Sequence, residues 1–403
     1  MRTLLIVGMP DSVHTARICR SAVQGGWRVY LFPSYDASPH PEMEQVTLFD
    51  PSARIRPSSG SSVVIEPVAP RAGLAAAPLT RALSLAAVIR RLRPAVIHAQ
   101  EIQHSGYLVA AAARWVRRMP PVILSSWGSD LSLQALLPSQ RRRIVETFRH
   151  VDVLTGECER ELWHARTLGY TGETVMPGPI AGGFDLARLA GLRSPGPTSA
   201  RRTIALKGYQ GWAGRAQVGL RALERCGQAL RGYRLAIYLA GEAEASLALD
   251  VARATGAEVE VVSAIGRPVP HESILAMHGR SRMSIGLSIA DGISTSFLEA
   301  MVMGAFPIQS GSACANEWLT DGVSGLIVPA EDPALVAGAV RRALEDDGLV
   351  DRATAINDAT AQRRLREEDV RARMMRVYDR VAAGAIVRAA DVTRVATAKR
   401  ADD

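Results

Sequence analysis

Lysine is almost missing from this chain of 403 residues: Lys207 and Lys399 are the only two, so 46 of the 48 basic residues are arginine. Cysteine is scarce as well. Cys19, Cys158, Cys226 and Cys314 are widely scattered, with no CxxC pair and no histidine at zinc spacing, which excludes a structural metal site of the familiar kinds and suits a reducing, cytoplasmic setting. No apolar run approaches the roughly 20 residues of a membrane span, and Leu4–Gly8, close behind Met1, is too short for a signal core. The first strand–helix loop lacks a GxGxxG fingerprint, so a nicotinamide cofactor is not expected. What remains is globular: 47% hydrophobic and 22% charged, long enough for two or three domains.

The net charge of +8 is uneven, +7 over residues 1–200 and +1 over the rest. A basic half suits nucleic acid, an anionic membrane surface or a phosphorylated substrate, and charge alone does not choose among them. The arginine clusters Arg90–Arg93, Arg114–Arg118 and Arg141–Arg143 fall on expected helices with Trp115 as their single aromatic, and no helix-turn-helix or zinc pattern accompanies them. Nucleic acid is therefore disfavoured.

Short apolar runs alternate with helical patterns. Leu4–Val7, the amphipathic stretch Val13–Gln24 stopped by Gly25-Gly26, and Arg28–Phe32 read as strand, helix, strand, the unit of a parallel sheet. Further strands are expected at Val63–Val68, Ala95–His98, Val122–Ser125 and Val151–Thr155, with helices at Leu79–Leu92 and Leu108–Arg117. From Gly178 to Arg202 turn formers dominate. A second alternating set follows: Thr203–Leu206, Arg234–Leu239, Val259–Val262, Met283–Leu287, Phe306–Gln309 and Gly325–Val328. This predicts an α/β fold of two doubly wound, Rossmann-like domains facing a central cleft. The expected divisions are an N-terminal domain over 1–185, a linker over 186–202, a C-terminal domain over 203–365, a helix over 366–385 that crosses back, and a polar tail over 386–403. In the helical stretch Arg363–Val381, Val370, Met374, Val377 and Val381 share one face.

The richest stretch is Ile289-Ala-Asp291-Gly292-Ile-Ser294-Thr295-Ser-Phe-Leu-Glu299. Ser294 or Thr295 is a natural helix cap, and the free amides behind it favour a phosphate. Asp291 before the turn and Glu299 within the helix can then bracket a nucleotide sugar, meeting hydroxyls while the amides hold the pyrophosphate.

Together with Gly304-Ala-Phe-Pro307 and Glu317–Pro329, this stretch resembles the C-terminal half of family 4 retaining glycosyltransferases, enzymes of GT-B architecture. The likeness extends over roughly residues 1–380. It implies metal-independent transfer from a nucleotide-diphosphate sugar, UDP-sugar favoured over GDP-sugar, with no further cofactor. It places Asp291 on the donor sugar, Glu299 on the ribose, and Lys207 and Arg215, in Lys207-Gly-Tyr-Gln-Gly-Trp-Ala-Gly214-Arg215, on the pyrophosphate. Lys207, the one lysine among the first 398 residues of an arginine-writing chain, suits a need for a point charge. In the N-terminal half, Gly8 lies near the donor phosphate and His14 on the acceptor side. Ala95–Tyr107 carries Glu101 and His104 beyond a strand end, with His98 in the core. In Val122–Asp130 a tryptophan, Trp127, stands where many family members have a histidine. An indole cannot accept a proton; Asp130 or His104 can substitute, or the donor phosphate takes the acceptor proton. Trp127 either stacks on a sugar or fills core.

The expected function is transfer of a hexosyl unit to a glycan, lipid-linked or small-molecule acceptor in surface polysaccharide, glycolipid or secondary-metabolite assembly. The arginine-rich half would touch the inner face of the membrane or only water. The rival readings are a nucleotide-sugar epimerase on the same scaffold and a sugar-nucleotide-binding protein without turnover.

Overall fold

A computed structural model describes residues 1–58, 61–68, 78–180, 182–266 and 269–386. The chain divides into two compact units, Met1–Gly183 with the segment from Glu368 onward, and Phe184–Glu367.

The first unit runs β1 (Thr3–Gly8), α1 (Val13–Gln24), β2 (Arg28–Pro33), β3 (Glu44–Asp50), β4 (Ser62–Pro67), α2 (Pro78–Leu92), β5 (Val96–Gln100), α3 (Tyr107–Ala113), β6 (Val122–Ser125), α4 (Ser129–Ser132), α5 (Pro138–Phe148), β7 (Val153–Thr155), α6 (Glu159–Thr167) and β8 (Glu173–Val175). Its eight strands form a parallel sheet in the order β4-β3-β2-β1-β5-β6-β7-β8. Both faces are covered, which is why the strands read as unbroken apolar runs rather than alternating ones. Leu5 and Val7 point to a core shared with α2, α3 and α5. Leu4 and Ile6 point the other way, to Ala16, Cys19 and Ala22 of α1 and to Val377, Tyr378 and Val381 near the C-terminus.

The second unit runs α7 (Leu186–Ala190), β9 (Thr203–Lys207), α8 (Ala216–Cys226), β10 (Arg234–Tyr238), α9 (Glu242–Thr255), β11 (Glu258–Val261), α10 (His271–Gly279), β12 (Ser281–Gly286), α11 (Thr295–Val302), β13 (Phe306–Ser310), β14 (Leu326–Val328), α12 (Pro333–Glu345) and α13 (Asp347–Arg364). Its six strands are again parallel, ordered β11-β10-β9-β12-β13-β14. Leu220, Val251 and Val340 cover one face. On the other, Ala205 and Ala236 are small enough to let α10 approach through Met277. The last helix, α14 (Glu367–Ala382), belongs to the first unit from Glu368 on.

Three readings of the sequence differ from these elements. The strands β3 and β8 were not expected: Glu44-Gln-Val-Thr-Leu-Phe-Asp50 mixes polar residues into its run, and Glu173–Val175 is only three residues long. The helix expected to reach Arg117 stops at Ala113 and begins after a π-helical turn, Ile102–Gly106. The segment 186–202, read as a connector, carries α7 and a 3-10 turn at Thr198–Ala200 and is anchored in the second unit: Arg201 reaches the carbonyls of Ser281, Met303 and Gly304, and Arg193 reaches Val302 and Asp358. These cations meet the carbonyl end of α11, where the helix dipole favours positive charge. Most of the expected tail, 387–403, lies outside the described residues.

Candidate functional site

In a doubly wound sheet the strand order reverses at one point, and the loops leaving the carboxyl ends of the two strands there diverge and leave a crevice. In the second unit that point lies between β9 and β12, and the residues expected to bind the donor gather there. Lys207 ends β9. A Cβ on the next residue, Gly208, would sit 2.8 Å from Ile237 Cγ2 and 2.9 Å from Ala240 Cα, so only glycine lets the chain turn so close to its neighbour. Lys207 Nζ lies 3.3 Å from Ser294 Oγ. Ser294 occupies the cap of α11 in extended conformation, yet its hydroxyl makes no capping bond and instead meets Lys207 and, at 3.1 Å, Ser296 Oγ. The opening amides of α11, at Thr295 and Ser296, precede any intrahelical acceptor. An ammonium and a helix N-terminus therefore converge on one point, an arrangement suited to a phosphate.

Asp291, half-buried, turns its carboxylate back onto the Gly292 amide at 3.0 Å, which fixes the tight turn before the helix. Glu299, a turn further along, is buried, and its Oε1 lies 2.6 Å from Nε2 of His271 at the start of α10. Arg215 is placed differently from Lys207. Its guanidinium meets Glu331 at 2.8 Å and the carbonyls of Gly211 and Gly214, while its backbone amide bonds to Leu287 beyond β12. It organises the loop between β9 and α8, whose Tyr209 senses the Asp291 charge and is held above the ordinary tyrosine range chiefly by burial. Tyr209, His271, Ser296 and Glu331 are neighbours that sequence spacing did not single out. Of the stretch Glu260–Pro268 expected near the nucleotide base, Glu260 pairs with Arg280, and Arg267 and Pro268 lie outside the described residues.

In the first unit the reversal falls between β1 and β5, and a second polar cluster gathers there. Gly8 ends β1, and Ser12 caps α1 by accepting the His14 amide. The His14 ring stands edge-on to Trp127, with centroids 5.4 Å apart. Trp127 is half-buried and its Nε1 has no acceptor among the described residues. Glu101, directly after β5, adopts φ 67°, a strained conformation for a residue with a side chain. Its carboxylate accepts the amides of His104 and Ser105 and approaches His104 Nδ1 at 3.4 Å, which raises the His104 pKa. Asp130 is 5% exposed and accepts the amides of Ile102 and Trp127, each at 3.1 Å, tying the loops after β5 and β6 together. Burial, then the nearby Glu101 charge, pushes its carboxyl up to about 8. Asp130, buried and bonded to two backbone amides, is closed off as a base, whereas His104, with its side chain 59% exposed, is reachable. Glu161 of α6, also buried, accepts from Ser126 and from the Glu157 and Cys158 amides, fixing the neighbouring loops. His98 is core: it bonds Tyr378 and Ser125, each at 2.7 Å, and burial lowers its pKa to about 3.

Two doubly wound parallel sheets, each with a polar cluster at its switch point, define the GT-B class of glycosyltransferases. Residues 3–154 match the glycosyl transferase 4-like family and residues 211–346 the glycosyl transferases group 1 family, and the chain belongs to these glycosyltransferases. None of the curated proteins matches it. Among solved structures, the chain is similar to a sucrose-phosphate synthase from Thermosynechococcus elongatus, at 14% identity over 95% of this chain and 100% of that one, with a TM-score of 0.69. It is also similar to Anabaena HepE in complex with UDP-glucose, at 14% identity, 94% and 100% coverage and a TM-score of 0.68. A trehalose 6-phosphate synthase from Burkholderia multivorans gives 14%, 96% and 98%, with a TM-score of 0.67.

Proposed function

We propose that this glycosyltransferase moves a hexosyl unit, with retention at the anomeric carbon and without a metal, from a nucleotide-diphosphate sugar to a glycan, lipid-linked or small-molecule acceptor. The observation that carries the donor half is the meeting of Lys207 with the N-terminus of α11 at the β9–β12 switch point, flanked by Asp291 and Glu299. In this reading Lys207 and the first α11 amides neutralise the diphosphate, which leaves with the charge that develops as the glycosidic bond breaks. Asp291 contacts the sugar and Glu299 the ribose. The structure of HepE with UDP-glucose favours UDP as the leaving nucleotide.

On the acceptor side His14, Glu101, His104 and Trp127 line the β1–β5 switch, and Asp130 shapes it. With the Asp130 carboxyl buried and occupied by two backbone amides, and an indole at position 127, the donor phosphate is the better acceptor for the hydroxyl proton, which suits same-face transfer. A cytoplasmic enzyme of surface-glycan, glycolipid or secondary-metabolite assembly fits this chemistry. No helix among the described residues is long and apolar enough to cross a membrane. Peripheral contact is supported by Leu136 and Leu137, 73% and 53% exposed, immediately before the exposed Arg141–Arg143 of α5.

The test is thermal-shift screening of UDP-, GDP- and ADP-sugars, followed by product analysis with an acceptor panel. A nucleotide sugar should raise the melting temperature, Glu299→Ala and Lys207→Ala should reduce the rise, and the product should keep the donor's anomeric configuration. Lack of any nucleotide-sugar binding, or an inverted product, would refute the reading. Conversion of the sugar with donor alone would mark an epimerase.

A further inference from the structure

We propose that His271 is a positioning residue of the donor site, which holds the Glu299 carboxylate in the orientation that receives the ribose hydroxyls. The inference rests on the donor reading of Glu299 given above.

Glu299 lies in α11 with its side chain only 8% exposed. A carboxylate at that depth requires a fixed donor, because an unsatisfied buried charge costs far more than a bond returns. His271 provides one from a different element, the first residue of α10, with Nε2 2.6 Å from Glu299 Oε1. Its own side chain is 30% exposed, so it stands at the mouth of the site rather than beneath it. Two turns further along the same face of α10, His278 is fully buried, edge-on to Tyr238 at 5.3 Å. Burial holds His278 neutral, with its pKa lowered to about 4, although the Glu299 charge pulls the other way.

The α10 face thus carries two histidines of different character: an outer ring that bonds the Glu299 carboxylate, and an inner neutral ring packed edge-on against Tyr238. A ribose presents two adjacent hydroxyls, and a carboxylate receives both only when its plane is set toward them. The His271 bond fixes one oxygen and therefore the plane. Glu272, next to His271, is engaged elsewhere, with Arg188 at 4.0 Å. Sequence spacing gives no sign of the pair, since 28 residues separate its members.

The experiment measures discrimination between ribose and deoxyribose. Calorimetry is run on the full chain with UDP, GDP and ADP, each beside its 2′-deoxy counterpart, for wild type, His271→Ala, His271→Gln, His271→Phe and Glu299→Ala. For the nucleotide that binds best, wild type should prefer the ribose form about tenfold, the worth of one hydrogen bond to a charged group. His271→Ala and His271→Phe should bring the preference to about twofold or less by weakening the ribose form alone, and His271→Gln, whose amide can donate, should restore most of it. In turnover with the matching sugar donor, His271→Ala should raise KM with little change in kcat. A His271→Ala or His271→Phe protein with the wild-type preference, or equal losses for both sugars, overturns the proposal. If Glu299→Ala also keeps the preference, the donor reading of Glu299 fails; if Glu299→Ala loses it while the His271 variants do not, only the present inference fails.

Discussion

Replacing Lys207 by Met separates the phosphate contact from the rest of the donor site. Its ammonium is half-buried, bonded to Ser294, and among the described residues it forms no ion pair with a carboxylate, so its charge is available to a ligand. A phosphate charge about 4 Å away at an effective dielectric near 20 attracts it by about 4 kcal/mol. Part of that is spent on stripping water from the ammonium and loosening its bond to Ser294. The net effect falls in the range of a charge-assisted hydrogen bond, about 1.5–3 kcal/mol, or roughly 10- to 150-fold in Kd. Calorimetric titration with UDP should show this loss for Lys207→Met, and titration with uridine, which has no phosphate, should show none. Lys207→Arg should recover part of the affinity, since the charge is kept while a planar fork replaces a compact cation beside Gly208. Equal UDP affinity in Lys207→Met and wild type, or parallel losses for UDP and uridine, would refute the placement of the diphosphate.

Three further outcomes follow from the same contacts. Asp130 has a folded-state pKa raised above that of an exposed carboxyl, so its protonated form stabilises the fold; that contribution is full below the ordinary carboxyl pKa of 3.8 and is lost progressively as pH rises from there to about 8. Asp130→Asn, which mimics the protonated acid, should therefore lessen the fall in melting temperature between about pH 5 and pH 8, as differential scanning fluorimetry would record. Arg282 is 1% exposed and donates to the carbonyls of Ala343, Leu344 and Ser199 and to Asp347. Arg282→Ala should cost about 3–5 kcal/mol in urea unfolding, whereas Arg253→Ala, which removes an exposed pair with Asp250, should cost less than about 1 kcal/mol. In vesicle sedimentation, Leu136→Ser with Leu137→Ser should reduce binding to anionic but not zwitterionic vesicles, and raised salt should do the same.

The parts of the fold that local chemistry dictates were legible in the sequence. Val13–Gln24 has a serine cap at one end and Gly25-Gly26 at the other, and the structure gives that helix the same bounds. The buried strands were readable because sheets covered on both faces write continuous apolar runs, and β3 was missed because Gln45, Thr47 and Asp50 interrupt its run. The donor stretch was legible because its cap, its glycine and both carboxylates lie within eleven residues of each other. Lys207 stood out only against a background of arginine. What stayed hidden was pairing at long range. Arg215 meets Glu331 across 116 residues, and Asp130 meets Ile102 across 28. Nothing local in the sequence marks Arg201 and Arg282 as buried, because the helix-end carbonyls that surround them come from distant segments. The strain at Glu101 and the π turn after it likewise have no periodic signature.

The seat of the donor is measured most directly by a crystal structure of the full chain with its best-binding nucleotide sugar. The diphosphate should lie within hydrogen-bonding distance of Lys207 Nζ and the first amides of α11, with the ribose on Glu299 and the sugar beside Asp291. A nucleotide seated elsewhere, or one whose phosphates avoid Lys207 and the start of α11, would contradict this placement.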